Sequence, residues 1–135
     1  MINAQELRIG NLVMVNGEIE EICGICEDYP FLKTVKYGVY VIEYKDLEPI
    51  PLTEEWLIRM GFQREKEHEL FSGLTLILSD YIEFYSDNQD NFSDSCMFVG
   101  LRDVDMDIEN HIVLYSVHQL QNLFFALTQE ELKIN

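Results

Sequence analysis

Positively charged residues are scarce in this chain of 135 residues, which contains 9 Lys and Arg against 25 Asp and Glu. The formal net charge is therefore -16. A field of that sign repels phosphate groups, so the composition argues against direct binding to DNA, RNA or an anionic membrane surface. We expect the partner to be a protein, and a basic partner surface would complement this charge.

Cysteine is also rare, and its three thiols cannot all pair within one chain. Cys23 and Cys26 form a single CxxC motif in a segment that predicts a strand, where residues three apart face opposite sides. A metal knuckle or redox pair needs both sulfurs on one side of a turn, so we expect neither zinc nor a disulfide. The chain shows no secretory leader and no apolar run of about 18 residues, which predicts a cytoplasmic protein without a membrane span.

Motifs for nucleotide binding and for nucleophilic catalysis are absent too, because the sequence holds no GxGxxG, GxxxxGK[ST] or GxSxG segment. The histidines His68, His111 and His118 lack metal-ligand spacing, and we interpret them as surface or capping residues. Carboxylates are so numerous that no pair of them points to hydrolytic chemistry. We therefore predict no catalytic residue, no cofactor and no metal ligand.

Hydrophobic residues, by contrast, are plentiful at 47% of the chain, including 8 Phe and 7 Tyr. The first fifty residues predict β-structure. Asn16 and Gly17 form a strong hairpin signal because both residues tolerate positive φ. The stretch Leu7–Val13 looks like the opening strand of small barrels, so an SH3-like β module over residues 1–50 is the simplest interpretation.

Residues 51–135 predict a mixture of strands and two helices. Thr53 caps a short central helix that ends near Gly61. A capping box at Ser116–Gln119 begins a C-terminal amphipathic helix. The buried stripe of that helix is predicted to contain Val117, Leu120, Leu123, Phe124 and Leu127. We predict an α+β fold, mainly antiparallel sheet, as a single compact domain of residues 1–135, with 1–50 and 51–135 as the alternative division.

Three segments of the chain carry a family resemblance: Leu7–Val13, Pro49–Leu57 with Gly61–Phe62, and Val117–Thr128. Together they resemble a set of short uncharacterised proteins of Bacteroides-type genomes, their phages and mobile elements. The resemblance implies a bacterial or phage cytoplasmic setting and transfers no catalytic residue. This chain departs from the pattern at Gln129, where the family has glycine after the final threonine.

Two acidic stretches form the candidate interaction surface, which comprises Asp87, Asp90, Asp94, Asp103, Asp105, Asp107 and Glu109. The first three lie in a polar segment that predicts an exposed loop. The other four alternate with apolar residues, as in an edge strand or hairpin with an acidic outer face. A calcium loop would need glycine and glutamate where Ile108 and Leu114 stand, so we expect a solvated face.

Three classes of function remain. The first is a non-enzymatic protein-interaction or accessory protein of phage or mobile-element type, because catalytic signatures are absent and the family resemblance points there. The second is an acidic inhibitor that imitates nucleic acid and presents the two acidic stretches to a basic host protein. The third is a hydrolase that uses dispersed carboxylates.

Overall fold

The computed structural model describes residues 2–34, 38–64, 74–78, 82–86, 99–103 and 109–135. These residues form two antiparallel sheets and two α-helices, which confirms the α+β, mainly antiparallel architecture. The strands are β1 Leu12–Val15, β2 Glu18–Ile25, β3 Pro30–Thr34, β4 Gly38–Val41, β5 Gln63–Arg64, β6 Leu74–Ile77, β7 Ile82–Ser86, β8 Val99–Asp103 and β9 Glu109–Leu114. The helices are α1 Glu54–Arg59 and α2 Val117–Thr128, with 3-10 turns at Ala4–Glu6 and Tyr44–Asp46.

The first sheet contains four strands in the order β1-β2-β3-β4. Its first hairpin turns at Asn16 and Gly17, whose φ angles of 52° and 83° confirm the predicted turn. The outermost strands β1 and β4 do not pair with each other, so the sheet is open. The closed SH3-like barrel that the sequence suggested is therefore not confirmed.

One face of this sheet is buried and the other is not, because side chains alternate along each strand. Val13, Val15, Ile22 and Leu32 point into a hydrophobic core that the N-terminal turn covers with Ile2 and Leu7. On the opposite face, Leu12 and Met14 of β1 pack against the core of the second sheet. The strand β1 thus contributes to both cores.

The second sheet has the order β5-β6-β7-β8-β9. Its core joins Leu74, Phe84 and Val99 of the sheet to α1 and α2. The predicted cap of α1 is confirmed, since Thr53 Oγ1 accepts a hydrogen bond from the Trp56 N–H at 3.3 Å. Gly61 follows the helix at a φ of 95°, as a left-handed stop requires.

The segment between the sheets, residues 48–52, pairs with backbone on both sides. Glu48 and Met14 exchange two backbone hydrogen bonds of 2.8 Å. Leu52 N–H donates to the Tyr115 carbonyl at 3.0 Å, and Val117 N–H donates to the Ile50 carbonyl at 2.9 Å. This segment therefore fixes the entry to α2 against β1.

The predicted buried stripe of α2 is confirmed in part, and Leu123 and Phe124 pack, partly buried, against the core of the second sheet. Val117 and Leu120 are fully buried as expected, but Leu127 is 43% exposed, and the polar side chains of His118 and Gln121 are buried instead. The prediction that Leu127 is buried is therefore wrong. Gln121 is buried because this face of the helix lies against β1 rather than against an apolar sheet.

The start of α2 also differs from the predicted capping box. Ser116 is the N-cap residue, but its side chain makes no capping hydrogen bond. Gln119 Oε1 accepts from the N–H of Tyr115 at 3.0 Å, one residue further back than a capping box requires. At the other end, Gln129 takes a left-handed conformation with φ 61°.

A polar junction, made by Gly10, Asn11, Leu12, Gln121 and Asn122, joins the first sheet to α2. Gln121 accepts from the Leu12 N–H at 2.8 Å and donates to the Gly10 carbonyl at 3.1 Å. Asn11, which has no exposed surface, donates to the Asn122 side chain at 2.7 Å. Buried polar groups are stabilising only when paired, so this junction holds the helix in one position.

Candidate functional site

Seven acidic residues make up the sequence-predicted interaction surface. Five of them lie outside the described residues: Asp87, Asp90, Asp94, Asp105 and Asp107. Asp103 ends β8 and Glu109 begins β9, and these strands pair antiparallel with Arg102 opposite Glu109. The stretch from Asp103 to Glu109 therefore spans a hairpin connection, and its role as an interaction surface stays a prediction.

The two acidic stretches are attached to opposite ends of the second sheet. The strand β7 ends at Ser86 beside the start of β8, because Tyr85 lies opposite Gly100. From Val99, β8 then runs to Asp103, about 13 Å further along at roughly 3.3 Å per residue. If the two acidic stretches formed one continuous interaction surface, that surface would have to extend along the whole length of β8.

The cysteines and histidines that the structure describes do not assemble into a cluster. Cys23 is half-buried in β2 and Cys26 is exposed just after that strand, and both are free thiols. His111 lies in β9, far in sequence from both cysteines, while Cys96 and His68 lie outside the described residues. Among the described residues, no group of three or more His, Cys, Asp or Glu side chains could hold a metal ion.

The outer strand β4 and the adjoining β3 present an apolar surface, which we call the β4 edge: Val39 and Val41 of β4, Phe31 of β3, and Tyr29 just before β3. Val39 is 62% exposed and Val41 is 46% exposed. Within the described part of the chain, β4 pairs with β3 alone, so its other side offers unpaired backbone groups. Unpaired strand edges with apolar side chains are sites where another strand can add.

Aromatic side chains extend this surface across β3. Phe31 lies opposite Val41, and its ring contacts Tyr29 edge to face with centroids 5.6 Å apart. Phe31 also covers Gly24 of β2, where a Cβ atom would come within 3.0 Å of the phenyl ring. Glycine at that position lets the ring lie flat on the sheet, which explains its place in an otherwise β-rich strand.

Charge around the first sheet is mostly negative. Lys33 is exposed opposite Val39, next to Glu21 on β2. Glu20 is buried on the inner face, where the hydroxyl of Tyr40 donates a hydrogen bond to it. Burial, together with the charge of Glu20, raises the pKa of Tyr40 above its usual value of 10.0, so this hydroxyl stays protonated.

A groove of about 350 Å³ lies where the N-terminal turn, residues 48–52 and the start of α2 meet. Its apolar walls are Ile2, Pro49, Pro51 and Tyr115. Its polar lining consists of Glu6, Ser116, His118 and Gln119. The groove thus combines apolar walls with the positive end of a twelve-residue helix.

His118 in this groove is only 2% exposed, which corrects its interpretation as a surface residue. Its Nδ1 lies 3.2 Å from Ser116 Oγ, and its Nε2 is buried with no hydrogen-bond partner among the described residues. Burial lowers the pKa of His118 below its usual value of 6.5, and the nearby charge of Glu6 opposes part of that effect. The imidazole is therefore neutral at pH 7.

Sequence reasoning missed both surfaces for physical reasons. Val39 and Val41 read as ordinary strand residues, because only the order of the strands shows that β4 is outermost. The groove beside His118 is formed with the N-terminal turn, Pro49 and Pro51, which are distant in sequence. One local signal was available, because Ser116 and His118 are two residues apart at a predicted helix start.

No protein-family model, curated protein or solved structure matches this chain, so no residue role comes to it from a relative. Within the described residues, no helix combines the length and the apolar character needed to cross a membrane. Among the described residues, the β4 edge and the groove at the start of α2 are two surfaces that the structure defines. Each offers unpaired hydrogen-bonding groups beside apolar side chains.

Proposed function

We propose that this chain is a non-enzymatic accessory protein that binds a partner protein by strand addition at the β4 edge. The observation that carries the proposal is an outermost strand whose Val39 and Val41 side chains are exposed. Soluble proteins commonly protect such edges with charged residues, proline or a covering segment. The strand β4, Gly38–Val41, has no charged residue and no proline.

The partner segment we propose is extended and alternates apolar with basic residues. Its backbone would complete the unpaired hydrogen bonds of β4, and its apolar side chains would lie beside Val39 and Val41. Its basic residues would complement the overall negative charge of the chain, which is -16. A second copy of this chain fits less well, because each copy carries a charge of -16 and the copies repel.

The setting that supports this function is the family resemblance, which points to a bacterial or phage accessory protein in the cytoplasm. The mimicry alternative would use the two acidic stretches rather than β4, so its contact residues differ. The hydrolase alternative would use dispersed carboxylates, and among the described residues no group of three or more His, Cys, Asp or Glu side chains could hold a metal ion for it. Partner binding through β4 therefore has the most direct geometric support.

An eight-residue peptide that alternates valine and lysine tests the proposal directly. We expect this peptide to shift and protect the backbone amides of Gly38–Val41 in two-dimensional NMR, because it adds as a fifth strand. The matched peptide with glutamate in place of lysine should bind much more weakly, since its charge has the sign of the protein.

The variant Val41→Lys should weaken binding of the valine–lysine peptide about fivefold, because the cross-strand apolar pair between Val41 and a peptide valine is lost. The control is Ile58→Lys on α1, where the wild-type side chain is exposed to a similar degree, 48%. Equal losses in the two variants would contradict strand addition. Amide shifts confined to residues 87–94 and 103–109 would also overturn it, and would favour the acidic mimic.

A further inference from the structure

The groove at the start of α2 has hydrogen-bond donors that nothing in the described chain satisfies. Val117 N–H, the first of the helix, donates to the Ile50 carbonyl. The next two N–H groups, those of His118 and Gln119, have no acceptor among the described residues, and the Ser116 side chain does not cap them. A helix start normally satisfies these groups with a side-chain cap.

His118 adds a second and independent observation. His118 is a lining residue of the groove, its side chain is almost fully buried, and its Nε2 has no partner among the described residues. When the Ser116 hydroxyl donates to Nδ1 of His118, the single proton of the neutral imidazole is on Nε2, and Nε2–H becomes a further donor. A buried polar atom without a partner is costly, so one is expected where function requires it.

The residues that line the groove determine which class of ligand it can bind. Glu6 lies at the groove and the whole chain carries -16, so a phosphate or carboxylate would meet repulsion. A neutral amide meets none: its carbonyl accepts from the donors at the start of α2, and its N–H donates to a carboxylate such as Glu6. Ile2, Pro49, Pro51 and Tyr115 offer apolar contact to the body that carries the amide.

We propose that this groove binds a neutral secondary amide attached to an apolar body, either a small molecule or one residue of an extended peptide. The site is separate from the β4 edge, and its occupation does not depend on strand addition there. Binding would place the amide carbonyl at the start of α2, in contact with the N–H groups of His118 and Gln119. The ring of His118 would supply a third donor after a small shift of its neighbours.

N-acetyl-leucine N-methylamide is the probe that tests this inference in the full chain. We expect it to shift the backbone amides of His118 and Gln119 with saturation, and to shift the imidazole 15N resonances of His118. N-acetyl-leucine, which ends in a carboxylate, should bind about fivefold more weakly, the effect of one unscreened charge at about 4 Å in water. A capped tripeptide distinguishes a small-molecule ligand from a peptide ligand. If the ligand is an extended peptide, the tripeptide should bind at least about tenfold more tightly than the capped single residue.

The variant Tyr115→Ala should weaken binding of the capped amino acid about fivefold, because an apolar wall is lost. Tyr115 is 61% exposed, so this variant is expected to fold. The matched control is Tyr29→Ala, which removes an exposed tyrosine outside the groove and should leave the affinity unchanged. Equal binding of the carboxylate probe, equal losses in both variants, or no shift at His118 and Gln119 would overturn the proposal.

Discussion

At the level of single residues, His118 links the stability of the protein to pH. Burial lowers its pKa in the folded state below the usual 6.5, which the unfolded chain retains. As pH falls below about 6.5, the unfolded chain takes up a proton that the folded protein does not, so the free energy of unfolding decreases. The decrease continues until the pH reaches the lower pKa of the folded state.

We therefore expect the wild-type protein to be more stable at pH 7.5 than at pH 5.5, measured by urea unfolding. His118→Gln should reduce that difference, because it removes the titrating ring. The control is Glu131→Gln. The hydrogen bond from Arg8 lowers the pKa of Glu131 below 4.5, so the contribution of Glu131 to the free energy of unfolding is lost only at pH values below 4.5. An unchanged pH slope in His118→Gln would contradict the assignment.

At the level of secondary-structure elements, the contribution of α2 to stability is concentrated in its first two turns. Leu120 is fully buried in the core shared with the second sheet, whereas Leu127 is largely exposed. We expect Leu120→Ala to lower the free energy of unfolding by about 2–5 kcal/mol, the usual cost of removing a buried leucine side chain.

Leu127→Ala is the matched control on the same helix and should cost less than about 1 kcal/mol, because little apolar surface is lost. Thermal or urea unfolding of the two variants measures the difference. Similar costs for both would mean that the last turn of α2 is packed as tightly as the first.

Sequence signals predicted the elements well where their causes are local. The turn at Asn16 and Gly17 depends on two residues that tolerate positive φ, and the start of α1 depends on a hydroxyl three residues from its N–H partner. The buried stripe of α2 was only partly predictable, because apolar periodicity does not reveal that Gln121 faces β1. Polar partners that lie 109 positions away leave no local pattern.

At the level of the whole molecule, the polar junction couples the first sheet to α2. Gln121→Ala would leave the Leu12 N–H and the Gly10 carbonyl without their partner, at a cost of about 1–3 kcal/mol per buried group. We expect hydrogen exchange to speed up in β1–β4 as well as in α2.

The matched control is Gln119→Ala, which removes a glutamine whose hydrogen bond stays within its own turn, to the N–H of Tyr115. That variant should speed exchange near the start of α2 and leave β1–β4 unchanged. Unchanged protection of β1–β4 in Gln121→Ala would show that the first sheet is stable without the helix.

The arrangement of the sheets was the part of the fold that the sequence could not predict. Four strands with short turns are compatible with a closed barrel and with an open sheet. In the open form, the outer side of β1 pairs with Glu48, which exchanges two backbone hydrogen bonds with Met14, rather than with β4. The β4 edge is exposed because the sheet is open, and no residue within β4 predicts that exposure.

The polar junction also has a consequence for synthesis on the ribosome. The acceptor for the Leu12 N–H is Gln121, which is made 109 residues later. At 5–20 residues per second, the chain around Leu12 therefore waits roughly 5–20 s for its partner. During that interval the nascent first sheet keeps its junction groups in water, so the earliest part to be made cannot reach its final state until nearly the whole chain has been synthesised.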